Sequence, residues 1–220
     1  MYDTIWLELD KEYFGDEFKC SNVLRKIEQT CEFTRIVGGC GYYEGLRISV
    51  TENRVRCIGS FHKFQRKGNP PTLTLMQVRK IIQNLSRLLG LPMEKADVLV
   101  VDIAENFEME KSPELYIQKM KTLDTYSTNN WEGTKYFSKR GTVLRFYDKT
   151  DELRQKNHHR PKQERCSLPE REKKNLLRYE VRFGKKKIRQ MFGRGLKACD
   201  LYNKDIYWGF VSEWFGCYED

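Results

Sequence analysis

The sequence is poor in the features that mark membrane, secreted and zinc-stapled proteins. No apolar run approaches the roughly 18 to 20 residues of a membrane span, so no membrane partner is expected. The N-terminus, MYDTIWLELD, lacks a basic stretch followed by an apolar one, and a secretory signal is not expected either. The seven cysteines (Cys20, Cys31, Cys40, Cys57, Cys166, Cys199 and Cys217) are odd in number and contain no C-x-x-C pair. That argues against a disulfide framework and against a structural zinc site, and it fits reduced thiols in a cytoplasm. Acids are scarce in one region. Between Lys139 and Lys197 stand 20 of the 40 Lys and Arg with only seven Asp and Glu, a net +13 that leaves −4 on the rest of a +9 chain. A basic half on a near-neutral body suits a polyanion partner.

What is present is a soluble composition, 39% hydrophobic and 32% charged over 220 residues. The length suits a single domain, 1–220, that can bury a full core. "YDTIWLEL" (2–9) reads as a strand and "NVLRKIEQTCEF" (22–33) as a helix capped by Ser21. "GLRISVTENRVRCIGSFHKF" (45–64) reads as a hairpin turning near Glu52-Asn53. The clearest helix spans 74–90, with Thr74 as cap, an apolar stripe from Val78 to Leu89, and Gly90 as stop. The pattern then repeats. A near-continuous apolar strand (96–107) reads as central. A helix opened by Ser112 and Pro113, a hairpin (133–148) turning at Arg140-Gly141, and a helix from about 150 with Thr150 as cap follow. A polar loop (157–175), a last strand (176–183) and closing helices at 185–192 and 199–216 complete the chain. The expected fold class is α+β. Duplicated β-α-β-β-α halves, about 1–92 and 93–184, share one mainly antiparallel central sheet, followed by C-terminal helices 185–220. The helices cover one face and leave a polar face for DNA.

Strand side chains alternate between faces. Asp102 shares a side with Ala104 and Asn106, Tyr147 with Arg145 and Val143, and Glu180 with Arg178 and Arg182. Leu177, Tyr179, Val181 and Phe183 take the other side of the last strand. If those apolar sides are buried, the uncovered face holds Asp102, Tyr147, Glu180 and three arginines, with Arg56, Ser60 and His62 able to join it. Two carboxylates beside a phenol and guanidinium groups suit phosphodiester chemistry. Carboxylate oxygens suit a hard cation, Mg²⁺ or Mn²⁺, and the phenol is a nucleophile that Arg145 and Lys149 help to ionise. An acid such as Asp102, set after four apolar residues, is costly to bury unless it is paired or bound to metal. Lys185, Lys186, Lys187 and Arg189 open a helix with the wrong sign for its dipole, and a DNA backbone would compensate them.

In this order, "VVDIAENF", "TVLRFYDKTDELRQK" and "LLRYEVRF" resemble the replication initiators of filamentous phages, the gene II type, and more distantly those of small rolling-circle plasmids. "IGSFHKFQRKGN" (58–69) resembles the glycine-serine hairpin of that family, so the likeness spans roughly 45–184. It departs from the family pattern at Val100, where an arginine is usual, and in a length shorter than is common. The resemblance implies a site-specific nickase acting in a bacterial cytoplasm on single-stranded or origin DNA. Such an enzyme stays on the 5′ phosphate through a tyrosine and leaves a 3′ hydroxyl for a host polymerase, with a host helicase as a further partner. Carried over, Tyr147 is the nucleophile assisted by Lys149, and Asp102 and Glu180 are metal ligands. His62 is a candidate third ligand. Lys63, Arg145, Arg178, Arg182, Lys185, Lys186 and Lys187 are candidate DNA contacts. His158 and His159 are adjacent and so do not form a His-hydrophobe-His metal pair. Tyr136 and Tyr126 are alternative nucleophiles. Trp208 and Trp214 read as core. The alternatives are a relaxase or transposase with the same chemistry, and a non-catalytic module for single-stranded nucleic acid.

Overall fold

The computed structural model describes residues 1–14, 39–65, 73–158 and 174–219. The expected helix at 22–33 and most of the polar loop at 157–175 lie outside these residues. The described strands are β1 (Tyr2–Asp10), β2 (Cys40–Tyr43), β3 (Leu46–Val50), β4 (Arg54–Ser60), β5 (Asp97–Glu108), β6 (Ser127–Trp131), β7 (Thr134–Lys139), β8 (Thr142–Asp148) and β9 (Leu176–Gly184). The described helices are α1 (Phe61–Gln65), α2 (Leu75–Leu89), α3 (Pro113–Lys119), α4 (Lys149–His158), α5 (Lys185–Phe192) and α6 (Lys204–Glu219). The class is α+β, and the strand pairs with a resolved register are all antiparallel.

The chain forms two compact units, residues 1–103 with 183–215 and residues 104–182 with 216–220, so β5 and β9 are each divided between them. In the first unit the strand order is β2-β3-β4-β1-β5. Alternation decides its core. Ile5, Leu7 and Leu9 of β1 are buried, as are Val55 and Cys57 of β4 and Leu46, Ile48 and Val50 of β3. The register sets Leu7 beside Cys57 and Cys57 beside Ile48, and this burial pushes the Cys57 thiol up to about 12. Helix α2 adds Val78, Ile81, Ile82, Leu85 and Leu89. It is bounded as its sequence predicts. Thr74 and Gln77 form a reciprocal capping box, and Gly90 stops it in the left-handed region at φ 66°. Helix α6 packs Phe210 against Phe183 and Phe192. A Cβ at Gly209 would stand 2.6 Å from the Phe192 ring, so the ring needs a glycine there.

In the second unit the order is β5-β9-β8-β7-β6. The two halves of the element order differ from the expected β-α-β-β-α. Each contains a three-stranded meander, β2-β3-β4 and β6-β7-β8, instead of a single hairpin. The extra strands β2 and β6 come from turns built on Glu44-Gly45 (φ 46° and 80°) and Glu132-Gly133 (φ 47° and 74°). Both have the double positive φ of a two-residue hairpin turn, as does Arg140-Gly141. β9 enters between β5 and β8, where a simple copy of the first meander would place β8 beside β5. The other departures are short. α3 ends at Lys119, because Met120 turns extended. The hairpin arm expected to run to residue 64 leaves the sheet after Ser60 and becomes α1, which takes His62 off the strand. Gly59 is fixed by contact, since a Cβ there would lie 2.7 Å from the Gly45 carbonyl oxygen. The four described cysteines, Cys40, Cys57, Cys199 and Cys217, are thiols.

Candidate active site

The second unit has two unlike sheet faces. On one, Lys135 and Phe137 of β7, Leu144 and Phe146 of β8 and Tyr179 of β9 are buried. Phe146 stacks on Tyr179 with centroids 4.7 Å apart and meets Phe137 edge-on. Helix α3 lies against this side. Its Ile117 is buried, and the Lys135 ammonium donates to the carbonyl of Met120 just beyond its end. On the other face, every side chain of the three-strand meander is half-exposed or exposed. Register sets Arg145 beside Tyr136 and Tyr136 beside Asn129. Trp131 pairs with Thr134, and Tyr147 is one residue past Phe146, whose partner Lys135 is one residue past Thr134.

Glu180 reaches this second face from β9, but it is not open there: it is only 4% exposed. The Arg145 guanidinium donates to its Oε1, and Arg178 Nε stands 3.7 Å from its Oε2. Arg178 also donates to the Asn106 side chain of β5 at 3.0 Å. The expected exposed carboxylate is therefore covered by two guanidinium groups. A buried carboxylate is costly unless its charge is matched, and these arginines match it. Arg182 is half-buried.

Tyr147 stands near the end of β8, half-exposed, with the Lys149 ammonium 5.8 Å from its ring centroid. Lys149 also pairs with Glu152. The cap of α4 is not the expected Thr150. Asp148 accepts the backbone N–H of Asp151 at 3.0 Å. Thr150 is buried and ties the helix to the start of β9, donating to the Lys174 carbonyl and accepting the Leu176 N–H. The competing Tyr136 lies on the same face as Arg145. Tyr126 sits with its ring against the Lys139 ammonium, 5.2 Å away.

The remaining candidates lie in the first unit. Asp102 is fully buried in β5, on the side of Val100. His62 sits in α1 with its Nδ1 buried, and Lys63 is exposed in the same helix. Lys63 packs its stem over Gly45. Two members of the basic cluster stand near acids: Lys185 is 3.7 Å from Asp97, which Lys197 also pairs with at 2.7 Å, and Lys187 pairs with Glu213 at 2.6 Å. Trp214 is core as expected, whereas Trp208 is exposed.

Carboxylate oxygens are the right donors for Mg²⁺ or Mn²⁺. Among the described residues no group of three or more His, Cys, Asp or Glu side chains stands together. Mg²⁺ commonly keeps several waters and needs only one or two carboxylates, so the donor types present fit it. At Glu180 it would have to displace Arg145. Sequence reasoning passed over Trp131, the large ring that shares a face with Tyr147. The Glu-Gly pair directly after it was the signal, because that pair makes the hairpin that presents it.

Among the described residues no helix is long and apolar enough to cross a membrane. The comparison with curated proteins finds no match. A family model for the N-terminal domain of the phage replication-associated protein of the gene II type matches residues 72–214, which takes in Asp102, Tyr147 and Glu180 and leaves out the glycine-serine hairpin.

Proposed function

The chain belongs to the family of the N-terminal domain of the gene II-type replication-associated protein, and from that membership we propose that it starts rolling-circle replication by cutting one strand of an origin. The observation that carries this reading is Tyr147, half-exposed at a strand end with the Lys149 ammonium over its ring and Arg145 two residues before it on the same face. In the proposed step the phenolic oxygen attacks the scissile phosphorus. A bond from tyrosine to phosphorus forms and the bond to the 3′ oxygen breaks. The phenol gives up its proton and the departing 3′ oxygen gains one. The tyrosyl phosphodiester keeps the energy of the cut bond, so the strand can be rejoined. A free phenol titrates near 10, and Lys149, which also pairs with Glu152, is the cation that stands over the Tyr147 ring. Asp102 in the first unit and Glu180 in the second are each a carboxylate of the donor type that Mg²⁺ or Mn²⁺ takes, and such an ion when bound would polarise the phosphate. The free 3′ hydroxyl then serves a host polymerase, with a helicase opening the duplex in a bacterial cytoplasm.

A non-catalytic module for unpaired nucleic acid is the second reading. It is favoured by the engagement of both Glu180 oxygens with guanidinium groups and by the aromatic face. One experiment decides. The protein is incubated with labelled single-stranded origin DNA and Mn²⁺ and run on a denaturing gel. The nickase gives a protein–DNA adduct that Tyr147→Phe abolishes. DNA binding with no adduct, with or without metal, leaves the module.

A further inference from the structure

We propose that Trp131 is a platform on which an unpaired DNA base stacks beside the tyrosine that cuts the strand; this rests on the nicking reading above and names how its substrate is held. Trp131 ends β6, at 64% exposure. A single exposed tryptophan is ordinary on a protein surface; its position is the argument. It pairs with Thr134, and alternation from the neighbouring Lys135–Phe146 pair sets Tyr147 on the same face, two strands from Trp131, which is about 10 Å at ordinary strand spacing. The next row holds Asn129, Tyr136 and Arg145. The half-exposed face of this unit thus presents three aromatic rings, Trp131, Tyr136 and Tyr147, among Ser, Thr and Asn side chains.

Rings interleaved with polar groups on a sheet surface are how single strands are bound without reading a groove, because every base has a π face. Glu180 is covered by Arg145 and Arg178, and Glu108, on the side of Asn106, pairs with Lys174, so neither presents bare negative charge to a phosphate chain. The Glu132-Gly133 turn has both residues at positive φ, a conformation that fixes the hairpin end and with it the tryptophan backbone. A duplex, with its bases stacked on one another, offers no free π face to Trp131. The occupant is therefore an unpaired segment, such as the one exposed at a melted origin.

The test uses the full chain and fluorescein-labelled oligothymidine, followed by anisotropy at fixed salt. Trp131→Ala should weaken binding by about 5- to 150-fold, the range that stacking of one base supplies. Trp131→Phe should restore most of it, and Trp208→Ala, an exposed tryptophan elsewhere, should bind as the parent does. Unchanged melting temperatures would show that Trp131→Ala is folded, as its exposure predicts. Binding by Trp131→Ala within about twofold of the parent, with the Tyr147 adduct still formed, overturns the platform and spares the nickase. Absence of both binding and adduct in the parent overturns both.

Discussion

Arg145 is the residue on which two roles meet. It neutralises a nearly buried Glu180, and it stands two positions from Tyr147 on the same face. Arg145→Met should therefore cost stability even without DNA. The carboxylate would lose the Arg145 hydrogen bond and keep Arg178 at 3.7 Å, and removing one partner of a buried pair costs about 3 kcal/mol. Urea unfolding monitored by circular dichroism measures this. A loss below about 0.5 kcal/mol, the size of an ordinary surface change, would mean that the carboxylate is solvated. Glu180 also shows where reading by residue reached its limit. Alternation puts Arg178 and Glu180 on one side, where they pair, and Tyr179 on the other, stacked on Phe146. Alternation says nothing of whether long side chains from neighbouring strands fold over an acid. That depends on which strand sits beside β9, a long-range fact that a local pattern does not contain.

At the scale of elements, strong periodicity and caps were legible. The stripe and capping box of α2, the apolar run of β5 and the Arg140-Gly141 hairpin all form as their residues dictate. The weak elements were not legible. Strands β2 and β6 are short and lie at the outer ends of their strand orders. β6 is Ser-Thr-Asn-Asn-Trp, with no apolar alternation to announce it. Only the aromatic-Glu-Gly turn, which occurs as Tyr43-Glu44-Gly45 and again as Trp131-Glu132-Gly133, marks both. Thr150 illustrates a different limit. Its position at a helix start suggests a cap, yet its hydroxyl is spent on the backbone at Lys174 and Leu176. Thr150→Val keeps the shape and removes both bonds. It should lower stability by about 1 to 3 kcal/mol, two hydrogen bonds at roughly 0.5 to 1.5 kcal/mol each, whereas a mere cap contact to solvent would change the melting temperature little. Thermal unfolding separates the two.

For the whole molecule, charge is the property that composition fixed and structure redistributed. The net +13 between Lys139 and Lys197 predicts strong salt dependence of DNA binding. Yet Lys185 and Lys187 already have acidic partners in Asp97 and Glu213. Pairs this near the surface are worth at most about 1 kcal/mol each, so a phosphate can take their place. Replacing Lys185, Lys186 and Lys187 together by Ala should leave stability nearly unchanged. It should reduce the slope of log affinity against log salt by up to about 2, at roughly 0.7 per lost phosphate contact on a single strand. An unaltered slope would show that these lysines serve the fold alone.

Cys57 carries a consequence of a different kind. Its sulfur is held between Leu7 and Ile48, 2% exposed, with a titration point near 12. At neutral pH it is a protonated thiol that an alkylating reagent cannot reach until β1, β3 and β4 part. In a variant whose other cysteines are removed, the rate at which that sulfur is trapped becomes a clock for the opening of the first unit's sheet, set by the fold itself and needing no attached probe.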